Sequence, residues 1–462
     1  MTAYDKTNPP ARATPDREHL GNGTSQVIPA ARAAALTTIE KTLPVNGKPG
    51  QDLQAVLDQC LGKLSDPRDK ALTTELAYGY LRFKGRLDHL VRAHLDKPDR
   101  TPPGLVRIVG LAAHELVHLH VPPHATLSWA VDAVKARFGQ AQAGVANAVL
   151  RRIQALGLDA ANPDFYQSSS TSRMQFLAAW HSCPQWLVRL WLHDYDQRTA
   201  LWLLGAQLRQ PLTGVRVNAL RPGARDLFEN LSQRAAPLFS QYPWLGFDPA
   251  ETPGLAAELV PVEREGRLTR QSPAVGDILS RLSHQEWPEP IWDACAGRGG
   301  KTAALLELGH TRVFSSDVNR RRLRGLASEA HRLSLPTPLA FLADASTGPL
   351  SASKGGPGTI LIDAPCSGLG VLARRPDAKW KRAPGDIANL ASIQGRIIQA
   401  CARLLPEGGR LVYLTCTMTR EENDRQAEAL EPLGFAPVAL CEPTMDGDLR
   451  EFFWGGVWRK IR

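Results

Sequence analysis

The chain has 462 residues, of which 43% are hydrophobic and 22% charged, and its formal net charge at pH 7 is +9. This length predicts two or three domains, because a single hydrophobic core stops growing at about 250 to 300 residues. The composition excludes a wholly disordered chain, no apolar run is long enough to span a bilayer, and the basic charge favours a polyanionic partner.

The N-terminal segment and the cysteines bear on location and metal binding. Residues 1–26 are rich in Pro, Thr, Ser and Arg and lack the apolar core of a secretory signal, so they are predicted to form a disordered tail. The seven cysteines include no C-x-x-C pair, which favours free thiols over disulfides or a zinc site. We therefore expect a cytoplasmic protein without a bound metal.

Residues 27–156 are predicted to form an all-α domain. Apolar residues recur with the helical period, and turn signals lie at 65–67, 102–104 and 122–123. Asp66 followed by Pro67 is typical of a helix N-cap and the first helical position.

Two further units are predicted behind this domain. Residues 157–272 form a linker and a small α+β unit, with helices near 186–190 and 200–202 and a strand at 213–218. Residues 273–462 alternate strands, glycine turns and helices, which predicts a Rossmann-like, doubly wound α/β domain. The predicted fold is thus an all-α domain joined to an α/β domain through a small α+β insert.

A glycine-rich loop at 293–302 joins the first strand of the α/β domain to a helix. Its glycines let a ligand approach the backbone, and the helix N-terminus offers free N–H groups, whereas the spacing of a P-loop is absent. Asp317 ends the second strand about 20 residues later, where a carboxylate binds ribose hydroxyls, and Asp344 ends the third. This pattern favours S-adenosylmethionine over a dinucleotide. The alternative is that Asp317 and Asp344 only cap helices.

Two cysteines follow apolar runs that are predicted to be buried parallel strands. Cys366 closes the motif at 363–366, and Cys416 comes directly after the run at 411–415. Strand ends carry the chemistry of α/β enzymes, and a thiol there can attack an electron-poor ring while a second thiol handles proton transfer. The alternative is that both are small core residues, which is how we interpret Cys401.

Segments in all three units point to one family. They are 69–79, 122–125 and 147–152 in the first unit, 216–218 in the second, and 363–370, 375–380, 415–416 and 422–423 in the third. In these segments the chain resembles the bacterial 16S ribosomal RNA cytosine-5 methyltransferases of the RsmB (Sun/Fmu) type, within the NOL1/NOP2/Sun family. The resemblance implies a NusB-like RNA-binding domain, an RNA-recognition-like insert and an S-adenosylmethionine-dependent RNA methyltransferase domain.

The resemblance also implies roles for single residues. Cys416 is the nucleophile that adds to cytosine C6, and Asp363 holds or protonates N3 of the ring. Lys301 contacts either the methionine carboxylate of the cofactor or the base, and Cys366 helps either to remove the C5 proton or to release the enzyme by elimination. The residues implied in cofactor binding are Cys295, Ala296, Gly297, Arg298, Gly299, Gly300, Lys301, Asp317, Asp344 and Asp363.

A basic segment with a tryptophan inside it is predicted to bind RNA through phosphate contacts and stacking. Its residues are Arg374, Arg375, Lys379, Trp380 and Lys381. The alternative is a solvated charged loop. Since the base has to be unstacked to be reached from both faces, the expected partner is an RNA loop, in 16S ribosomal RNA first and in transfer RNA as an alternative. We expect the protein to act as a monomer.

Two other functions compete with this one. Residues 114–118 match the H-E-x-x-H zinc motif, but Pro122 breaks the helix and the histidines oppose an apolar stripe, so we expect surface histidines and no protease. The second is a non-catalytic RNA-binding or ribosome-assembly factor, because Arg298 replaces the proline of the family's cofactor loop.

Overall fold

The computed structural model describes residues 28–45, 47–119, 121–348, 356–443, 445 and 447–462. The tail predicted at 1–26 lies outside these described residues. Within them, no helix is both long and apolar enough to cross a membrane.

The N-terminal domain is a helical bundle, as predicted. Its helices are α1 (Ala30–Thr42), α2 (Leu53–Leu61), α3 (Pro67–Ala93), α4 (Pro103–His118), α5 (Pro123–Phe138) and α6 (Gln140–Leu156). The Asp66 carboxylate accepts a hydrogen bond from Arg68 N at 2.8 Å, and Pro67 opens α3, which confirms the predicted cap. Apolar side chains of these helices form one continuous core.

The H-E-x-x-H segment lies inside this bundle, so the predicted exposure of His114 was wrong. His114 is 1% exposed and packs on Gly79 of α3, where an added Cβ would lie 2.1 Å from its Nε2. Burial lowers the pKa of His114 well below its ordinary value. Glu115 is also buried, forms an ion pair with Arg32 at 2.7 Å and accepts a hydrogen bond from Trp129 Nε1 at 3.0 Å. The segment therefore organises the helical core.

Four helices and a βαββαβ unit follow. They are α7 (Pro163–Ser168), α8 (Arg173–Trp180), α9 (Gln185–Asp194) and α10 (Gln197–Ala206), then β1 (Thr213–Val217), α11 (Ala224–Ala235), β2 (Phe239–Gln241), β3 (Trp244–Phe247), α12 (Leu255–Arg264) and β4 (Leu268–Arg270). The strands are antiparallel in the order β2-β3-β1-β4. The predicted helices near 186 and 200 and the predicted strand at 213 are confirmed.

The small sheet is packed on both faces. Val215 and Leu245 point into a core shared with α11 and α12. On the opposite face, Trp244 packs on Gly276 of helix α13 (Pro273–Arg281), where an added Cβ would lie 2.4 Å from the indole ring. This second face therefore holds the insert against the next domain.

The C-terminal domain is built on a seven-stranded sheet. Its elements are β5 (Ile291–Asp293), α14 (Gly300–Glu307), β6 (Val313–Asp317), α15 (Arg320–Arg332), β7 (Leu339–Leu342), β8 (Thr359–Asp363), α16 (Ala378–Lys381), α17 (Pro384–Ala402), β9 (Arg410–Thr415), α18 (Asp424–Glu428), β10 (Phe435–Cys441) and β11 (Trp454–Lys460). The strand order is β10-β11-β9-β8-β5-β6-β7, with β5 to β9 parallel and β11 antiparallel to both of its neighbours.

Strand residues of this sheet alternate between two cores. Leu361 of β8 packs in one core, whereas Ile360 and Ile362 pack in the other. A parallel sheet buried on both faces is the mark of a doubly wound domain, so the predicted Rossmann-like class is confirmed.

A buried ion pair joins the insert to the C-terminal domain. Arg216 of β1 binds Glu307 of α14 through two hydrogen bonds of 2.8 and 3.1 Å, and both side chains are fully buried. The same guanidinium donates to Gly300 O at 3.0 Å and to Gln271 Oε1 at 2.5 Å. Because Gly300 lies near the end of the glycine-rich loop and begins α14, the insert supports the end of that loop.

Candidate functional site

Four predicted site residues lie at the carboxyl ends of parallel strands. Asp317 and Asp363 end β6 and β8, Cys416 follows β9, and the loop that contains Gly297 follows β5. These strands are neighbours in the sheet, so their ends meet along one edge, which is where doubly wound domains bind ligands. The fold thus gathers the loop, the carboxylates and the cysteines at a single edge.

Asp317 holds the glycine-rich loop. Its carboxylate accepts hydrogen bonds from Gly297 N at 2.9 Å and from Asn319 N at 2.7 Å. Gly297 and Gly299 have φ angles of +58° and +80°, which glycine adopts without strain, and a Cβ on Gly299 would lie 2.5 Å from Leu326. A Cβ on Gly297 would meet nothing within 4 Å. The loop therefore leaves open space beside the first turn of α14, whose N–H groups have no helical acceptors.

Arg298 is exposed and its stem runs over helix α15. A Cβ added to Gly325 would lie 3.5 Å from Arg298 Cγ. Within the described residues, the Arg298 N–H donates no backbone hydrogen bond. The arginine that replaces the family's proline therefore extends along the protein surface.

Replacing Arg298 with proline is expected to leave the Kd for S-adenosylmethionine within about threefold of the wild-type value. The substitution removes an N–H that has no backbone acceptor, and Gly297 tolerates the restriction that proline imposes on its predecessor. Isothermal titration calorimetry measures the change, with Arg298→Ala as the control. A large loss of affinity in both variants would mean that the guanidinium contacts the cofactor.

Lys301 and Asp363 form the charged pair of the site. Lys301 Nζ lies 2.7 Å from Asp363 Oδ2 and 5.2 Å from the centre of the Phe453 ring. Burial alone would lower the pKa of Lys301, but the Asp363 carboxylate and the Cys416 sulfur outweigh burial and raise it. Lys301 therefore keeps its proton in the ion pair with Asp363.

Asp293 is a buried carboxyl group that was not among the predicted site residues. Its Oδ2 accepts a hydrogen bond from Thr302 Oγ1 at 2.7 Å. Burial raises the pKa of Asp293 to about 7, the Thr302 bond opposes the shift and the neighbouring Asp363 adds to it. Its position at the end of the first strand is the signal that could have identified it.

The two cysteines meet at the sheet edge. Cys366 Sγ lies 3.3 Å from Cys416 Sγ, a hydrogen-bond contact between two free thiols. This hydrogen bond raises the pKa of Cys366 well above its ordinary value, and burial adds to the effect. The contact and the burial therefore favour the thiol form of Cys366.

The residues that follow the two cysteines also meet, which the sequence analysis missed. Ser367 Oγ lies 2.6 Å from Thr417 Oγ1, and both side chains are buried. Glu422 is fully buried beside them; from the sequence it was recognised only as part of the family segment 422–423. The signal in the sequence is a hydroxyl residue directly after each cysteine.

Asp344 and Cys295 are two further residues that were predicted to bind the cofactor. Asp344 is exposed and accepts a hydrogen bond from Ser346 N at 2.9 Å, which caps the short 3-10 helix Ala345–Thr347. Cys295 is half-buried, and burial raises its pKa well above the ordinary value. Contact of these two residues with a cofactor stays a prediction.

The basic segment predicted to bind RNA packs against the N-terminal domain, and the prediction was wrong for Lys379. Lys379 is fully buried and donates to Arg82 O at 3.0 Å and Gln207 Oε1 at 2.6 Å. Trp380 packs on the N-terminal core and donates to Leu81 O at 2.7 Å. Lys379 is therefore closed to a phosphate. Trp380 is half-buried and lines a surface cavity with Lys84, Arg92 and Arg107, so its contact with RNA stays a prediction.

The other three residues of the segment are also paired. Arg374 forms a bidentate ion pair with Glu451, and Arg375 lies 2.9 Å from Asp52 of the N-terminal domain. Lys381 lies 3.0 Å from an Asp377 oxygen. Contact of Arg374, Arg375 and Lys381 with RNA stays a prediction.

The buried Lys379 is expected to make stability depend on pH. Burial lowers its pKa to about 7, whereas the unfolded chain has an ordinary lysine. Between these values the unfolded chain binds more protons, so the free energy of unfolding should rise with pH by about 1 kcal/mol per unit. Urea denaturation at pH 7 and 9 of the wild type and Lys379→Met measures this contribution. A pH-independent difference between the two proteins would mean that Lys379 stays charged.

Family comparisons agree with this arrangement. The family model for 16S rRNA methyltransferase RsmB/F matches residues 280–432, and the NusB family model matches residues 29–155. Probable ribosomal RNA small subunit methyltransferase B of Bacillus subtilis (strain 168) is 30% identical over 409 residues, which cover 85% of this chain and 87% of that protein. The chain belongs to the ribosomal RNA small subunit methyltransferase B family.

Other members of the family align over a similar span. Ribosomal RNA small subunit methyltransferase B of Sodalis glossinidius (strain morsitans) is 34% identical and covers 86% of this chain and 88% of its own length. The Escherichia coli O6:K15:H31 (strain 536 / UPEC) protein is 31% identical, and the alignment covers 89% of this chain and 92% of that protein. The family membership therefore extends over the NusB-like domain, the insert and the methyltransferase domain together.

Solved structures share the fold. The crystal structure of PH0851 aligns with a TM-score of 0.67 at 18% identity, over 94% of this chain and 99% of that one. NSun6 from Pyrococcus horikoshii with SFG aligns with a TM-score of 0.51 at 19% identity, over 60% of this chain and 98% of that one. At these identities the likeness concerns the fold alone.

Proposed function

We propose that the protein is an S-adenosylmethionine-dependent methyltransferase that forms 5-methylcytosine in 16S ribosomal RNA. The observation that carries the proposal is the Cys366 and Cys416 pair at 3.3 Å, at the same sheet edge as the Lys301–Asp363 ion pair and the glycine-rich loop. The names of the family members support ribosomal RNA as the substrate. The free thiols and this substrate support a cytoplasmic place of action, and we propose that the protein acts as a monomer.

The sheet edge fits a nucleoside cofactor. The open space beside Gly297 and the free N–H groups of the first turn of α14 suit the polar end of the cofactor. The Asp317 carboxylate has two hydrogen bonds from the backbone and lone pairs left for ribose hydroxyls. When bound, S-adenosylmethionine supplies an electrophilic methyl group. Cys295, Ala296, Gly300 and Asp344 are proposed to complete this site.

The protein residues are proposed to activate the cytosine ring before methylation. The Cys416 thiolate adds to C6, and the electron pair of the C5–C6 double bond moves into the ring toward N3. Lys301 supplies a proton through Asp363 to N3, so that the adduct is neutral and C5 becomes nucleophilic. The raised pKa of Lys301 keeps the ammonium protonated until the base arrives, and the proton moves only as negative charge develops at N3.

Cys366 is proposed to assist release of the enzyme. After methylation the C5 proton passes to solvent, and the electron pair of that C–H bond forms the C5–C6 double bond again. The Cys416–C6 bond breaks, its electron pair returns to the sulfur, and N3 returns its proton to Asp363. The Cys366 thiol lies 3.3 Å from this sulfur and donates a hydrogen bond to it as negative charge develops. Of the two roles considered for Cys366, the geometry and its raised pKa support assistance to elimination.

A non-catalytic assembly factor is the competing function, and it rests on the replacement of the loop proline by Arg298. The exposed Arg298, whose side-chain stem lies over Gly325 of α15, gives this alternative no support. Titration of the protein with S-adenosylmethionine separates the two functions. A Kd in the micromolar range favours the enzyme, and no binding at millimolar cofactor favours the assembly factor.

Bisulfite sequencing of ribosomal RNA tests the proposed substrate. Cells with and without the protein are compared, and a single protected cytosine in 16S ribosomal RNA is expected to become reactive when the protein is missing. As the matched control, cells that lack the protein are given the Cys416→Ala variant, which should not restore protection of the cytosine. If protection changes only in a transfer RNA, the substrate is transfer RNA, and if no cytosine changes, the proposed activity is wrong.

A further inference from the structure

A carboxylate without a cationic partner is buried beneath the two cysteines. Glu422 is fully buried, and among the described residues no ion pair includes it. Instead, five uncharged groups that can donate lie within hydrogen-bond distance of its oxygens; they are Ser367 N, Ser367 Oγ, Gln394 Nε2, Thr417 Oγ1 and Thr419 Oγ1 at 2.8, 2.5, 3.1, 3.3 and 3.1 Å. Burying an unpaired charge is costly, so this arrangement calls for a reason in the function of the site.

These hydrogen bonds tie the two cysteine loops to one side chain. Ser367 directly follows Cys366, and Thr417 directly follows Cys416. The backbone N–H of Ser367 and the hydroxyl of Thr417 both point to Glu422, and the two hydroxyls also contact each other at 2.6 Å. The position of each sulfur is therefore set through the residue behind it.

The cysteine loops are anchored to the same region from their other sides. Gln394 Nε2 donates to Pro365 O, the residue before Cys366, at 2.9 Å as well as to Glu422. Asn423, next to Glu422, donates to Thr417 O at 3.0 Å and accepts from Thr415 at 2.6 Å. The segments around both cysteines thus converge on Glu422 and its neighbour.

We propose that Glu422 is a positioning residue that holds Cys366 and Cys416 at their working separation. The proposal rests on the proposed function, since it concerns the step in which Cys366 assists the departure of Cys416. A carboxylate suits this position because it offers only acceptors, and each of the five neighbouring groups can donate. A glutamine there would point its own N–H groups at one of those donors.

The charge of Glu422 has a second effect on Cys366. The titratable groups that face Cys366 are Cys416, Glu422 and Tyr413. The hydrogen bond to Cys416 and burial are the larger causes of its raised pKa, and the negative charge of Glu422 adds to them. Removing that charge should make the Cys366 thiol easier to ionise.

The test uses two variants of the full-length protein that separate the charge of the Glu422 side chain from its length. Glu422→Gln keeps the length and removes the charge, whereas Glu422→Asp keeps the charge and shortens the side chain by one methylene. Thr419→Val is the matched control, since Thr419 is equally buried and bonds Glu422 at 3.1 Å but follows neither cysteine. Thermal denaturation is recorded for all three variants.

The variants are compared in two measurements, the alkylation rate of Cys366 and the kcat of RNA methylation. In a Cys416→Ala background, the rate at which iodoacetamide alkylates Cys366 is followed against pH by peptide mass spectrometry. Glu422→Gln should move the midpoint to lower pH, and Glu422→Asp and Thr419→Val should leave it unchanged. With both cysteines present, Glu422→Gln and Glu422→Asp should each lose at least about tenfold in kcat for RNA methylation, with an unchanged Kd for S-adenosylmethionine.

The outcomes distinguish the positioning role from simple stability. If Thr419→Val loses as much kcat as the Glu422 variants, or if the kcat of Glu422→Asp equals that of the wild type, Glu422 is only a structural residue and the proposal is wrong. If the wild type methylates no RNA, the proposed function fails. The alkylation midpoints still decide in that case whether Glu422 acts on Cys366, because they require neither RNA nor cofactor.

Discussion

Replacing Cys416 with alanine is expected to lower methylation by on the order of 10⁴-fold or more, because the substitution removes the atom that bonds to the ring. No covalent complex between enzyme and RNA should form. The position of Cys416 supports this result, because it follows β9 at the sheet edge that carries the Lys301–Asp363 ion pair, and Cys366 Sγ lies 3.3 Å away. Labelled RNA on a denaturing gel measures both the product and the complex.

Cys366→Ala should have the opposite effect on the covalent complex. Attack by Cys416 and methyl transfer remain possible, but the departing sulfur loses its hydrogen-bond donor, so a complex that resists denaturation should accumulate once cofactor is added. Cys401→Ala is the matched control, because Cys401 is a fully buried residue of α17 outside the site. A complex with Cys416→Ala and none with Cys366→Ala would exchange the two roles.

Local signals in the sequence predicted the elements that position the site. Asp66 and Pro67 marked the start of α3 because a cap satisfies backbone N–H groups within the same segment. Asp317 and Asp363 were placed at strand ends from the apolar runs before them, and the parallel sheet then brings those ends to one edge. Neither inference needs knowledge of a distant contact.

The errors concern residues whose surroundings come from distant parts of the chain. Lys379 belongs to a basic segment that is typical of a nucleic-acid site, but its ammonium is covered by α3 and by Gln207, about 300 and 170 residues away in sequence. His114 is polar and faces the core because Gly79 leaves room for its ring. Periodicity alone does not reveal such packing between domains and between helices.

Glu422 illustrates a third limit. Its place in a motif was visible, but its partners come from α17 and from the segments after β8 and β9, so the function of the carboxylate depends on the complete fold. Arg216 is similar, since a basic residue in an RNA-recognition-like unit would ordinarily be assigned to RNA. The structure instead buries it completely.

Replacing Arg216 with methionine is expected to lower the free energy of unfolding by about 3 to 5 kcal/mol, because it leaves the Glu307 carboxylate buried without its partner. Gly300 O also loses a donor, so the cofactor loop should loosen and the affinity for S-adenosylmethionine should fall with stability. Urea denaturation and cofactor titration measure the two effects.

The matched control is Arg234→Met, since Arg234 pairs with Glu258 on the surface of the same insert, where the two side chains are 66% and 49% exposed. Arg234→Met should lower the free energy of unfolding by less than about 1 kcal/mol. In Arg216→Met, protonation neutralises the unpaired Glu307 carboxylate, so the loss in the free energy of unfolding should become smaller as the pH falls. The double variant Arg216→Met with Glu307→Leu should recover most of that loss. Equal small losses for Arg216→Met and Arg234→Met would show that the insert and the methyltransferase domain hold together without the buried pair.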